Sequence, residues 1–297
     1  MEQSAKAIAL IISVLGPAAP GLAASRPFTD HRSAAADGVV EIINVSGTIN
    51  VAAWDRNEID INGTIGDQVE RVEVTGDSHR TTIRVVVPRL RGGSGDSDAN
   101  LTIKVPQRSS LDTSLVSSDL TVSGITGQHE LRSISGNIAG DVGGNLQIST
   151  VSGDVKLTAR NAKSTKLETV SGDVTLTGPA GELALSSVSG AVSLQLGAMN
   201  QGNIETVSGN VTLSGSLASG ARLQAESVSG DLRFDFVGTP GADFSVETLS
   251  GKIENCFGAR AVKEGFGPGV TLRFRNGDGS GRVTVETKSG DVRLCSK

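Results

Sequence analysis

Through most of the chain aliphatic residues alternate with polar ones, and the alternation restarts after each of a series of Ser-Gly pairs. Aligned on the glycine, the second residue downstream is Val155, Val174, Val192, Val211, Leu232, Ile253 or Val292. The fourth is Leu157, Leu176, Leu194, Leu213, Phe234, Asn255 or Leu294. Lys156, Thr175, Ser193, Thr212, Arg233, Glu254 and Arg293 stand between them. A period of two over so short a run predicts a strand with one buried face. Upstream of the glycine, position minus five carries Leu167, Leu185, Ile204, Ala225, Val246 and Val285, and position minus two carries Val170, Val188, Val207, Val228 and Leu249. The apolar phase changes across the Ser-Gly pair, which predicts a corner rather than one flat strand. Glycine supplies a permissive backbone there, and Asp154, Asp173, Asn210, Asp231 and Asp291 after it suit local hydrogen bonding.

Ten of the chain's Ser-Gly pairs, from Ser46-Gly47 to Ser289-Gly290, read as repeat corners, and from Gly153 to Gly251 the intervals are 19, 18, 19, 21 and 21 residues. One such unit buries almost nothing alone. Stacked, each supplies hydrogen-bond partners to the next and extends a thin apolar column. The expected fold is all-β, a single-chain β-solenoid (β-helix) with about 18–21 residues per coil. An antiparallel meander is the competing arrangement, since Asn62-Gly63 and Gly76-Asp77 are hairpin signals. Before Pro106 the period is loose, so residues 38–106 read as a less regular N-terminal β region that caps the solenoid of residues 107–297. Trp54 fits a core or end-cap position. Asp96 and Asp98, in the breaker-rich Gly92–Asn100 loop, lack the spacing and bidentate glutamate of a calcium loop.

The last interval, Gly251 to Gly290, is 39 residues long, and Cys256 and Cys295 each lie five residues after their glycine. Two full coils would hold them about 9–10 Å apart, too far for a disulfide. An inserted hairpin at about residues 257–280 would put them on adjacent coils, where they bond and staple the C-terminal end. Gly265–Gly269 and Asn276–Gly281 bracket Val270–Arg275 as the inserted strand.

Composition narrows the class. The chain has 38 Gly, 7 Phe, 1 Trp and no Tyr in 297 residues, which suits a narrow aliphatic core. Met1–Ser25 reads as a secretory signal peptide, with Lys6, an apolar Ala7–Gly16 and a small-residue exit. Export agrees with a disulfide. No apolar run in the mature chain is long enough for a transmembrane span. A net charge of −5 without a basic run argues against nucleic acid as a partner.

No catalytic constellation stands out. His31, His79 and His129 form no ligand pattern, no Gly-x-Ser-x-Gly is present, and no glycine-rich loop opens a helix. No cofactor or metal site is indicated. The one unusual surface feature is a column of acids at position minus four: Glu168, Glu205, Glu226, Glu247 and Glu286, interrupted by Ser186. Stacked like charges are unfavourable, so the column is either a splayed, solvated ladder or an attractor for cations or a basic partner. The threonines beside it, Thr169, Thr206, Thr248 and Thr287, are expected to face inward.

In Val45-Ser-Gly-Thr-Ile-Asn-Val51 followed by Trp54-Asp55, in Ile83–Pro88, in Leu101-Thr-Ile-Lys-Val-Pro106, in the Val-Ser-Gly-Asp-Val repeats and in the ending Thr287-Lys-Ser-Gly-Asp-Val-Arg-Leu294, the chain resembles the DUF4097 family of bacterial β-strand repeat proteins. The resemblance spans about residues 38–295. It implies an envelope protein, commonly labelled an adhesin, with no general catalytic residues. Lys288, where the family has an aliphatic, suggests a solvent-open end. The resulting expectation is a non-catalytic exported structural or adhesion module of the periplasm or cell surface, whose partner is an envelope protein or glycan. A carbohydrate-active β-helix enzyme and a self-associating envelope scaffold are the alternatives.

Overall fold

The computed structural model describes residues 25–88, 95–178, 181–263 and 267–297, which form 23 strands and no helix. Apart from Ser25, the Met1–Ser25 segment lies outside the described residues, as do residues 92–94 of the Gly92–Asn100 loop.

Each repeat unit contributes one strand before its Ser-Gly corner and one after it, and each strand pairs in parallel with its counterparts. The strands before the corner, His129–Ser133, Leu146–Thr150, Ser164–Thr169 and Glu182–Ser187, form one ladder. The strands after it, Ile138–Gly143, Val155–Arg160 and Val174–Gly178, form the other. Both ladders continue into the long strands Val192–Thr206 and Val211–Ser227. Val155, Val174, Val192 and Val211 are register partners in sequence, each 1% exposed. Leu167, Leu185, Ile204 and Ala225 are partnered in the other ladder and are equally buried. All belong to one apolar cluster. Burying each Val or Leu contributes roughly 1.5–3 kcal/mol, repeated rung after rung.

The corner is a hydrogen-bonded device. At several corners the buried hydroxyl three residues before the glycine accepts from the glycine N–H and donates to the glycine carbonyl; at Thr206 and Gly209 these bonds are 3.0 and 3.2 Å. Ser133 and Ser227 do the same. The serine before the glycine donates to the rung before it, as Ser208 Oγ does to the Val188 carbonyl at 3.1 Å. The carboxylate or amide oxygen after the glycine accepts from the backbone N–H of the following rung, Asp154 from Asp173 at 2.8 Å and Asn137 from Asp154 at 3.0 Å. Glycine is required because the backbones nearly touch: at Gly190, with φ of 103°, a Cβ would stand 2.3 Å from the Gly172 carbonyl oxygen.

The structure separates the two upstream aliphatic positions. Position minus five is core, but the residues at minus two point outward and are 43–57% exposed from Val170 to Leu249. Alternation from minus five makes minus three the second inward position, which the buried Thr or Ser hydroxyl occupies.

Both ends of the stack are out of sequence order. At one end Val39–Trp54 lies between Ser110–Ile125 and the pair Arg80–Val86 and Ala99–Pro106, all parallel. Glu58–Ile65 and Arg71–Gly76 then add antiparallel strands, and Arg26–Ser33 pairs on Glu58–Ile65. At the other end the final unit, Gly281–Thr287 and Val292–Ser296, sits between the rung cornered at Gly230 and the rung cornered at Gly251. Val270–Asn276 pairs antiparallel on Ala242–Thr248, with Val262–Lys263 on its far side. The Cys256–Cys295 disulfide, with a Cα–Cα distance of 4.8 Å, therefore joins adjacent rungs. It ties the outermost rung, which carries Cys256, to the interior rung that carries Cys295, and Lys288 marks no open end: it lies between the Val228 and Leu249 levels. Phe244 stacks on Phe274 at 4.6 Å beneath the antiparallel strand, with Phe236 and Phe257 against them.

Candidate binding surface

The acid column exists as a physical row, in an order set by the rungs. Register partners run Glu168, Ser186, Glu205, Glu226, Glu286 and Glu247, then Thr271 of the antiparallel strand. Four glutamates are therefore consecutive, about 4.8 Å apart along the stack. Glu168 bonds Lys166 at 2.7 Å, and Glu247 bonds Arg273 at 2.7 Å. Glu205 and Glu226 accept instead from the neutral amides of Asn203 and Gln224, at 2.9 and 2.7 Å. Among the described residues, Glu205, Glu226 and Glu286 have no cationic side chain within ion-pair distance.

The opposite half of the same ladder is compensated. Glu41 and Asp112 share Arg80, at 3.2 and 3.7 Å, and Arg132 bonds Asp112 at 3.2 Å and also Glu130. Burial raises the Asp112 carboxyl, an effect opposed by Arg132 and Arg80 and reinforced by Glu130 and Glu41.

Two residues along each rung from the acid column runs an outward aliphatic column. Its levels are Val45, Val116, Ile134, Val151, Val170, Val188, Val207, Val228, Lys288 and Leu249, connected by backbone hydrogen bonds from rung to rung. Its nine aliphatic members are 38–57% exposed. Sequence reasoning recorded these residues without placing them outside; parity with position minus five carried that information. Where the acid and aliphatic columns run together, from Val188 to Leu249, they line a groove that Val270 and Thr271 close at one end.

Other candidates do not assemble. Glu254 lies near Cys256 and Cys295, the one metal-like grouping among the described residues, but both sulfurs are committed to the disulfide. His31 faces Glu58 at 2.9 Å on the surface, His79 contacts Ser78, and His129 is buried in the inward row. Asp96 and Asp98 organise their own loop: the Asp98 N–H donates to Asp96, and Ser46 donates to Asp98. Trp54 is half-buried; its Nε1 donates to the Glu58 carbonyl at 2.8 Å, and Arg56 and Lys104 lie over its ring at 5.2 and 5.6 Å. No helix among the described residues is long and apolar enough to cross a membrane.

Comparison with known proteins follows this architecture. A protein from Parabacteroides distasonis, provisionally named as lipid binding, has a similar structure with a TM-score of 0.52 and 13% identity, over 90% of this chain and 96% of that one. A provisionally named adhesin from Bacteroides fragilis is 13% identical over 91% of this chain and 98% of its own, with a TM-score of 0.42. No curated protein sequence matches the chain. The sequence profile of the toastrack DUF4097 family matches residues 40–295. The chain belongs to the toastrack DUF4097 family.

Proposed function

We propose that the chain is an exported, non-catalytic β-solenoid that serves a bacterial envelope as a structural or adhesion module, binding an envelope protein or glycan in the periplasm or at the cell surface. The observation that carries this reading is repetition: the surface features recur at the same place on rung after rung. Catalysis needs a single point where a nucleophile, a base and a charge-stabilising group converge. A rigid ladder of equivalent side chains instead makes an extended contact surface. The disulfide and the leader-like Met1–Ser25 support export.

The test is binding of the disulfide-intact mature protein to purified bacterial envelope fractions, with and without prior protease treatment or periodate oxidation of glycans. Saturable binding that one treatment removes is the expected result and names the partner class. Polysaccharide turnover proportional to protein concentration would overturn the non-catalytic reading. Labelling of intact cells with a membrane-impermeant reagent separates surface from periplasm.

A further inference from the structure

We infer that the groove between the aliphatic column and the acid column binds a basic amphipathic helix of a partner protein, laid across the rungs. This deepens the binding reading above and rests on it. The aliphatic column is the starting point. Exposed aliphatic residues are ordinary singly, but eight consecutive levels from Val45 to Val228, with Leu249 beyond Lys288, form an apolar strip of the kind that marks an interaction site. From Val188 to Leu249 that strip is flanked by glutamates, three of which have no cationic partner among the described residues. An anionic lipid surface is repelled by that flank, whereas Lys and Arg on one side of an apolar stripe complement it.

Spacing selects the conformation. The rungs repeat about every 4.8 Å, whereas same-face residues of an extended strand recur about every 6.8 Å and drift out of step at once. A helix repeats about every 5.4 Å and stays nearly in phase over a few turns. The four intervals from Val188 to Leu249 span about 19 Å, which a helix of about 13 residues covers. Lys288 interrupts the strip at the fourth level, so the apolar contacts are Val188, Val207 and Val228 on its near side and Leu249 beyond it.

The experiment measures anisotropy of three labelled peptides of about 15 residues with the intact oxidised protein. One carries a leucine stripe flanked by lysines, the second the same stripe flanked by glutamates, and the third is a scramble of the first. The expected result is saturable binding of the first only, weakened at least tenfold by Val207→Ser with Val228→Ser and at least tenfold by Glu205→Gln with Glu226→Gln, with unchanged melting temperatures. All four side chains point outward, and the glutamine pair preserves shape. Equal binding of the acidic peptide, no binding up to millimolar concentration, or binding untouched by both folded double variants would overturn the inference. So would a chain that is dimeric until the valine pair is replaced, because a second copy would then be the occupant. If envelope binding persists while the lysine peptide fails, the groove assignment falls alone; if both fail, the binding reading falls with it.

Discussion

Asp154, Asp173, Asn210, Asp231 and Asp291 each place a side-chain oxygen under the backbone N–H of the following rung, so Ala191 is a gap in an otherwise regular row. The Ala191 N–H is received by Asp173, but Ala191 has nothing to offer Asn210. Ala191→Asn adds the missing acceptor without adding charge beside Asp173. It should stabilise the fold by about 1 kcal/mol, read from urea unfolding. His129 is the opposite case, a polar ring flanked in the inward row by Leu111 and Leu146. It is buried, and neither ring nitrogen completes a hydrogen bond of normal geometry, although the Ile125 and Gly143 backbone partly favours the protonated ring. Burial is the larger effect and pushes its pKa below the ordinary 6.5. The unfolded chain therefore binds a proton at a higher pH than the folded one. Stability is complete above the unfolded value of 6.5 and falls as pH drops from there toward the lowered folded value. His129→Leu should flatten that loss and stabilise the protein at pH 5 by about 1–2 kcal/mol, measured by denaturant melts across pH. The column position of His129 was open to reading from the aligned sequence, since it stands seven residues before Gly136 as Leu146 does before Gly153. Its missing partners were not, because they depend on the carbonyls a neighbouring turn happens to present.

Strands with the same motif are interchangeable in sequence and distinct in place. The rungs cornered at Gly230, Gly290 and Gly251 all present a glycine to the next, and a Cβ on Gly251 would meet the Gly290 carbonyl at 2.1 Å while one on Gly290 would meet Gly230 at 2.3 Å. Periodicity revealed that these strands stack and which side chains face in. It could not reveal their order, because every rung offers the same backbone edge and nearly the same side chains. Only the 39-residue interval with its matched cysteines hinted that the last two units are neighbours. The outward column was hidden for a related reason: a valine beside a buried hydroxyl looks like core until parity is counted from Leu167 or Ile204. The disulfide thus ties an intercalated rung to the outer one, closing a loop of 39 residues. Cys256→Ser with Cys295→Ser should cost about 3–4 kcal/mol if loop-closure entropy governs, visible as a lower denaturant midpoint. Because Val292–Ser296 pairs on both sides, its release opens two edges at once. Proteolysis of the reduced protein should therefore cut first near residues 277–281, the glycine-rich link into that rung.

A stack of parallel strands has two ends, and each end is a template for another chain unless something covers it. Here both ends carry antiparallel strands. After the outer strand Arg26–Ser33 the chain makes a rung one inside the N-terminal end, turns into antiparallel strands, and only then makes the end rung; at the C-terminal end it makes the end rung, the antiparallel strand, and finally the interior rung. Both strands of the outermost N-terminal rung are thereby paired to antiparallel strands, and at the C-terminal end Ala242–Thr248 is, whereas Ile253–Asn255 pairs only inward among the described residues. The outer strand Arg26–Ser33 carries Pro27, which donates no hydrogen bond, together with Arg26, Asp30 and Arg32, and Val270–Asn276 carries Arg273 and Arg275. The proline and the charged side chains on these strands, several of them ion-paired to neighbouring acids, disfavour pairing of a further chain on them. Removal of residues 26–33 bares Glu58–Ile65, whose sequence EIDINGTI has no proline and buries Ile59, Ile61 and Ile65 against the core. In sedimentation velocity the chain of residues 26–297 should remain a single species over a hundredfold range of concentration. The shortened chain should associate progressively, gaining the slow-relaxing β signal of edge-to-edge pairing. Association of the full chain to the same extent would mean that the antiparallel strands do not close the stack, and that end-to-end assembly belongs to its working state.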